Sequence, residues 1–160
     1  MSRIDPHQEL MPSVLDRLID PEAGGTKACK GYTVEQMFRA VQRDLEDLLN
    51  TRTSHVGLPA AFVEVHHSLI AYGLPDLTSL NAVTPSEREA IGRVIEGVIA
   101  RFEPRLRDVR ASLVETFDQN DRSVRFQIEA RLNVDPHPEI GFETVLELMT
   151  GHASIRGRKR

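Results

Sequence analysis

Apolar residues recur with a helical period in two long segments, then alternate with polar ones further along the chain. In the first segment Val34, Met37, Phe38, Val41, Leu45, Leu48 and Leu49 fall on one side of a helical repeat, with Arg39, Gln42, Arg43, Glu46 and Asp47 largely away from them. Thr33 and Gln36 have capping-box spacing, so the pattern predicts a helix from about Val34 to Leu49. In the second segment Thr84 caps, Pro85 suits the first helical position and Glu87 completes a capping box. The stripe Ile91, Val94, Ile95, Val98, Ile99 and Phe102 follows. Gly92 and Gly97 interrupt it, and each costs about 1 kcal/mol relative to alanine. Both are therefore expected on a face that another element approaches closely.

The second helix must end where Glu103-Pro104-Arg105 begins. Proline lacks an N–H, clashes with a preceding helical turn, and drives the residue before it toward extended geometry. Beyond it the period becomes two. A first strand is expected over about Leu106 to Thr116, with Val109, Ala111 and Leu113 on one face. Asp118-Gln119-Asn120-Asp121 reads as a hairpin turn. From 123 to 134 the alternation is clean, with Val124, Phe126, Ile128, Ala130, Leu132 and Val134 apolar. Such a strand has one face on a core and one in solvent. Asp135-Pro136-His137-Pro138-Glu139 is a loop, and Phe142 to Thr150 reads as a third strand.

The remaining segments are shorter. Val14, Leu15, Leu18 and Ile19 have helical spacing in a piece too short to stand alone, so it needs a surface, either its own domain or a partner. Residues 21–31 form a loop around Gly24-Gly25. Between 54 and 83 glycines and prolines break the chain. Phe62 to Tyr72 suits a short helix, weakened by Val63, Val65 and Ile70, and Tyr72-Gly73-Leu74-Pro75-Asp76-Leu77 reads as a turn. The fold class is α+β: two main helices packed on an antiparallel β-meander of about three strands, with an N-terminal arm. Residues 1–32 are the arm and loop, 33–150 a single α+β domain, and 151–160 a basic tail.

Composition narrows the function. Across 160 residues, 20 basic and 24 acidic side chains leave a net charge of −4, which gives no general drive toward nucleic acid. Arg156, Arg158, Lys159 and Arg160 gather at the end and read as a solvated tail. One cysteine, Cys29, excludes an internal disulfide and fits a reducing compartment. No apolar run has membrane-spanning length, and no signal-peptide core opens the chain; a cytoplasmic location is expected.

The six histidines show no metal-ligand spacing, and adjacent His66 and His67 point to different sides of any regular element. Neither a dinucleotide fingerprint nor a phosphate loop occurs. Phe126 lies on the apolar side of its strand rather than on an open RNA-binding face. No catalytic residue, metal or cofactor is therefore assigned. Glu103 alone tempts as the acid of a muramidase, but Arg101, Arg105 and Arg107 favour its ionised form. Glu103 and Arg105 read either as an intramolecular ion pair or as a rigid acid–base pair that engages a partner.

Four stretches carry a family likeness: Ser13-Val14-Leu15-Asp16-Arg17-Leu18, Arg43-Asp44-Leu45-Glu46-Asp47-Leu48-Leu49-Asn50-Thr51-Arg52, Ser68 to Leu77 with its Tyr-Gly-Leu-Pro-Asp turn, and Phe102-Glu103-Pro104-Arg105-Leu106. In this order they resemble the TssE family, the small baseplate subunit of the bacterial type VI secretion system. That family is similar in turn to the wedge protein of contractile-tail phage baseplates once labelled "lysozyme-like". The resemblance implies a non-enzymatic subunit that sits with TssF and TssG in a baseplate docked at the inner membrane. It also implies that the subunit starts polymerisation of the TssB–TssC sheath by sharing β-strands. Glu103, Pro104 and Arg105 would then bind the partner, and Val14, Leu15, Leu18 and Ile19 would dock the arm. A muramidase, and a cytoplasmic regulatory adaptor of the same fold, are the alternatives.

Overall fold

The structure, a computed structural model, describes residues 10–19, 31–53, 57–59, 61–76, 84–114, 123–134, 139–147 and 152–158. The expected Gly24-Gly25 loop, the Asp118–Asp121 turn, the loop from Asp135 to Pro138 and the final Lys159-Arg160 lie outside these residues.

Both main helices form where their caps place them. Helix α1 is Val14–Ile19 and α2 is Val34–Asn50. Thr33 Oγ1 accepts from the Gln36 amide at 3.2 Å, and Gln36 Oε1 accepts from the Thr33 amide at 2.8 Å. The broken segment yields only a four-residue α3, Val63–His66, and a 3₁₀ turn at Leu69–Ala71. Helix α4, Pro85–Phe102, starts on the Thr84–Glu87 capping box and stops one residue before Glu103, as the proline requires. Strands β1 (Leu106–Val114), β2 (Ser123–Leu132), β3 (Glu139–Glu147) and β4 (His152–Arg158) follow. They pair in sequence order β1-β2-β3-β4, all antiparallel.

The sheet thus has four strands, one more than the expected three. The basic end is not a solvated tail along 152–158. Ala153 and Ile155 alternate with His152, Ser154 and Arg156, and the alternation buries the apolar pair while leaving His152 and Arg156 exposed. The basic residues at 156 and 158–160 mask this short period-two pattern.

Strand β1 departs from simple alternation. Its register to β2 shifts between Arg107 and Arg110, and Asp108 sits at φ 53°. This bulge inserts one residue, which brings both Leu106 and Val109 to the core side although they are three apart. Val109 and Ala111 pack at the margin of the core, as their spacing predicts; the Leu113 side chain lies outside the described residues.

One core joins the helices and the inner sheet face. Val41, Leu45, Leu48 and Leu49 of α2 and Ile91, Ile95 and Ile99 of α4 meet Phe126, Ile128, Leu132 and Phe142, all 2% exposed or less. The Phe38 and Phe142 rings stack at 5.1 Å between centroids, which supplies aromatic contact in a chain poor in aromatics. Gly92 confirms its reading: a Cβ there would lie 3.1 Å from the Ala111 carbonyl oxygen. Gly97 does not, since among the described residues no other element comes within 4 Å of its Cβ position.

Thr144 is the odd member of this interior. It is 1% exposed, and its hydroxyl has no hydrogen-bond partner among the described residues. A buried hydroxyl left unpaired is unfavourable by about 1–3 kcal/mol. Thr144→Val keeps the shape and removes the orphan. Chemical denaturation should show it more stable than the wild type by about 1 kcal/mol. Equal or lower stability would mean that the hydroxyl is satisfied in solution.

Candidate functional site

The Glu103-Pro104-Arg105 turn is built from backbone bonds on both sides. The Glu103 amide closes α4 on the Ile99 carbonyl at 2.8 Å, the Leu106 amide returns to the Glu103 carbonyl at 3.1 Å, and the Asn133 amide at the end of β2 donates to the Arg105 carbonyl at 2.7 Å. The turn is therefore stapled to helix and sheet at once. Pro104 stands exposed at its tip, while Glu103 is only 4% exposed.

Arg105 folds back over Glu103. Its Nε donates to Glu103 Oε1 at 2.6 Å, its Nη2 pairs with Glu103 Oε2, and its amide also reaches Oε1 at 3.2 Å. The two-residue spacing across a rigid proline makes this fork geometry available locally. The intramolecular ion pair is formed in this structure. The same Nη2 reaches Asp44 Oδ2 of α2 at 2.6 Å. Burial alone would lower the affinity of Arg105 for its proton; the carboxylates of Glu103 and Asp44 outweigh it and raise its pKa. The guanidinium is held charged.

The series continues toward the arm. Arg43 donates through Nε and Nη2 to Asp44 Oδ1 at 3.0 and 2.6 Å, and through Nη2 to Asp16 Oδ1 at 2.7 Å. The second oxygen of Asp16 accepts from the Ser13 hydroxyl at 2.7 Å and the Ser13 amide at 3.1 Å, and the Asp16 amide donates back to Ser13 Oγ. Five side chains of alternating sign, Glu103, Arg105, Asp44, Arg43 and Asp16, thus run from hinge to arm. Burial pushes the Asp16 carboxyl up, but the bonds from Ser13 and Arg43 overcome it and hold the group below its ordinary range.

Helix α1 is consequently docked by its polar side. Asp16 is 2% exposed, whereas Val14, Leu15, Leu18 and Ile19 face outward, Leu18 at 78%. Met11 continues the exposed apolar surface. A helix resting on a carboxylate and offering its aliphatic residues outward inverts the usual arrangement.

The Tyr72–Asp76 turn packs beside the same cluster. The Tyr72 ring meets Phe102 edge to face at 5.3 Å. Its phenol pKa is raised first by burial, then by Asp47, Asp44 and Glu103. The Leu74 amide donates to the Thr51 carbonyl, the Thr53 amide donates to the Leu74 carbonyl, and Arg52 pairs with Asp76 at 3.0 Å. Gly73 sits at φ 103°, and a Cβ there would collide with the Thr51 carbonyl oxygen, so the turn tolerates only glycine.

Sequence reasoning singled out Glu103, Pro104, Arg105 and the apolar arm residues, but gave no role to Asp16, Arg43 or Asp44. One signal was present. Asp44 lies between Val41 and Leu48 at helical spacing, a carboxylate set inside an apolar stripe. Among the described residues no group of His, Cys, Asp and Glu is arranged to hold a metal, and no helix is long and apolar enough to cross a membrane.

A profile of the family described as baseplate wedge protein gp25 matches residues 35–137. The chain belongs to that family. The match covers α2, the Tyr72 turn, α4, the hinge and the first two strands, so four of the five charged residues lie within the wedge-family region and Asp16 joins them from outside. A solved structure of the baseplate complex from the type VI secretion system contains a similar chain, at 18% identity and TM-score 0.48. The alignment covers 79% of this chain and 97% of that one. No curated protein matches at a significant level. Membership in a baseplate wedge family, a structural family, gives this chain a structural baseplate role.

Two outcomes test the cluster. Arg105→Met leaves Glu103 buried beside no cation and should destabilise the fold by about 3 kcal/mol, whereas the double variant Glu103→Gln with Arg105→Met should recover most of that loss. Equal losses in denaturant titrations would show that the pair is not coupled. Asp16 gives a pH signature. A carboxyl depressed on folding stabilises above its unfolded pKa, near 3.8, and loses that contribution as pH falls through the folded value. Asp16→Asn should therefore be destabilised at pH 7 and approach the wild type as pH falls below 3.8 and through the folded value. A pH-independent gap would refute the charged role.

Proposed function

We propose that this wedge-family chain is the TssE-type subunit of a type VI secretion baseplate. In this reading it links the baseplate to the contractile sheath and starts sheath polymerisation by sharing β-strands. One observation carries the proposal. The four stretches that resemble TssE are far apart in sequence, yet Asp16, Arg43, Asp44, Tyr72, Glu103 and Arg105 come together as a single cluster. A constellation that orders an arm, a central helix, a turn and a hinge at once is what a rigid docking subunit requires.

The division of labour follows from exposure. Glu103 holds Arg105, and Pro104 with the accessible edge of Arg105 meets TssF and TssG in the wedge. Val14, Leu15, Leu18 and Ile19 dock the arm onto an apolar partner surface. The sheet serves the TssB–TssC sheath, by main-chain bonds to an added strand. The subunit works in the cytoplasm, in a baseplate docked at the inner membrane. The muramidase reading loses support from the same geometry. Both Glu103 oxygens are engaged by Arg105, so the carboxylate is not placed to donate a proton to a sugar.

Replacing Val14, Leu15, Leu18 and Ile19 with serine should leave the melting temperature nearly unchanged, because these side chains are exposed, and should abolish co-purification with TssF and TssG. Retained co-purification would remove the arm from the interface. Purified wild-type chain mixed with TssB and TssC should shorten the lag of sheath assembly; an unaltered lag would overturn the initiator role.

A further inference from the structure

The two outer edges of the sheet are closed by different means. At β1, the Ala111 amide donates to Glu96 Oε1 of α4 at 2.8 Å. The α4 backbone comes so near that a Cβ on Gly92 would stand 3.1 Å from the Ala111 oxygen. The bulge at Asp108 further distorts this edge. At β4 the closure consists of side-chain amides. Asn50 Nδ2 donates to the Ala153 carbonyl and Asn50 Oδ1 accepts from the Ala153 amide, both at 2.9 Å. Gln42 Nε2 donates to the Ile155 carbonyl at 3.2 Å.

An amide that gives and takes one bond with the same residue imitates the pair of bonds a neighbouring antiparallel strand makes. Ala153 and Ile155 are two apart, the spacing at which one side of a strand presents its backbone groups. We propose that β4, not β1, is the edge that receives an extended segment from a partner chain, and that Asn50 and Gln42 are the latch this segment displaces. The inference rests on the strand-sharing role proposed above and adds to it the edge and the gate.

The energetics favour β4. Opening it exchanges three amide bonds for three equivalent ones, and the groups that must clear the edge are α2 side chains, Gln42, Asn50 and the Phe38 ring that lies against Gly157. Opening β1 requires the α4 backbone to withdraw from Ala111. Charge indicates the occupant. Arg156 is exposed on β4, and the sequence continues Gly157-Arg158-Lys159-Arg160, so an extended segment with carboxylates on its solvent face is the complementary partner.

The probe is a synthetic acetylated peptide alternating valine with glutamate, titrated against the full chain, with amide exchange read residue by residue. Gln42→Ala combined with Asn50→Ala should speed exchange at Ala153 and tighten peptide binding about tenfold, with the peptide restoring protection there. A peptide alternating valine with lysine should bind more weakly. If the alanine pair fails to fold, Gln42→Met with Asn50→Leu keeps the side-chain volume, deletes the same bonds and should show the same gain. Unchanged affinity, or protection appearing at Ala111 instead of Ala153, overturns the proposal. Sheath subunits take no part in this assay. Peptide capture on β4 by a chain that does not shorten the sheath lag sinks the strand-sharing role and leaves the latch. A shortened lag with protection on β1 does the reverse.

Discussion

The Arg105 guanidinium, shared between Glu103 and Asp44, is the contact on which the arrangement of the molecule depends. It joins the exit of α4, the first residues of β1 and the middle of α2, three parts that hydrophobic packing alone would align only loosely. Apolar surfaces slide at small cost, whereas a forked cation between two carboxylates is satisfied in few geometries. A buried pair of this kind contributes little net stability compared with an apolar substitute. Its value lies in direction: it sets the angle at which the helix hands over to the sheet, and through Asp44 and Arg43 it passes that constraint on to the arm.

The structured helices were legible because their signals agree. In α2 and α4 the caps and the stripe point to the same boundaries, with a proline stop added in α4, and the clean alternation of β2 leaves little choice of face. Strand β1 was legible only in extent, since a bulge changes the parity of every residue beyond it and leaves no composition mark apart from Asp108. Strand β4 was hidden by its own charges. Its apolar residues are few, Ala153 and Ile155, and they sit beside α2, more than a hundred residues earlier in the chain.

The functional cluster was only half legible for a related reason. Glu103 and Arg105 announce themselves by standing on either side of a proline. Asp16, Arg43 and Asp44 are ordinary helix residues until tertiary structure brings them together. A short helix with four aliphatic residues is naturally read as seeking a core, and α1 instead puts a carboxylate inward and leaves the aliphatics in solvent. Periodicity identifies which residues share a face. It does not say which face the protein keeps for itself when a cation on a neighbouring helix, such as Arg43, competes for the polar one.

The clasp between α2 and β4 also bears on the order in which the fold can close. The four strands pair with their immediate successors, so the meander grows by local hairpins, each with a small loop-closure cost. The Asn50–Ala153 bonds instead span 103 residues. During synthesis α2 emerges early, and the strand that accepts its amides is made last among the described elements. Until residues 152–158 leave the ribosome, Asn50 and Gln42 lack those backbone partners and β3 is itself an uncovered edge. The sheet is therefore most exposed to wrong pairing just before β4 arrives.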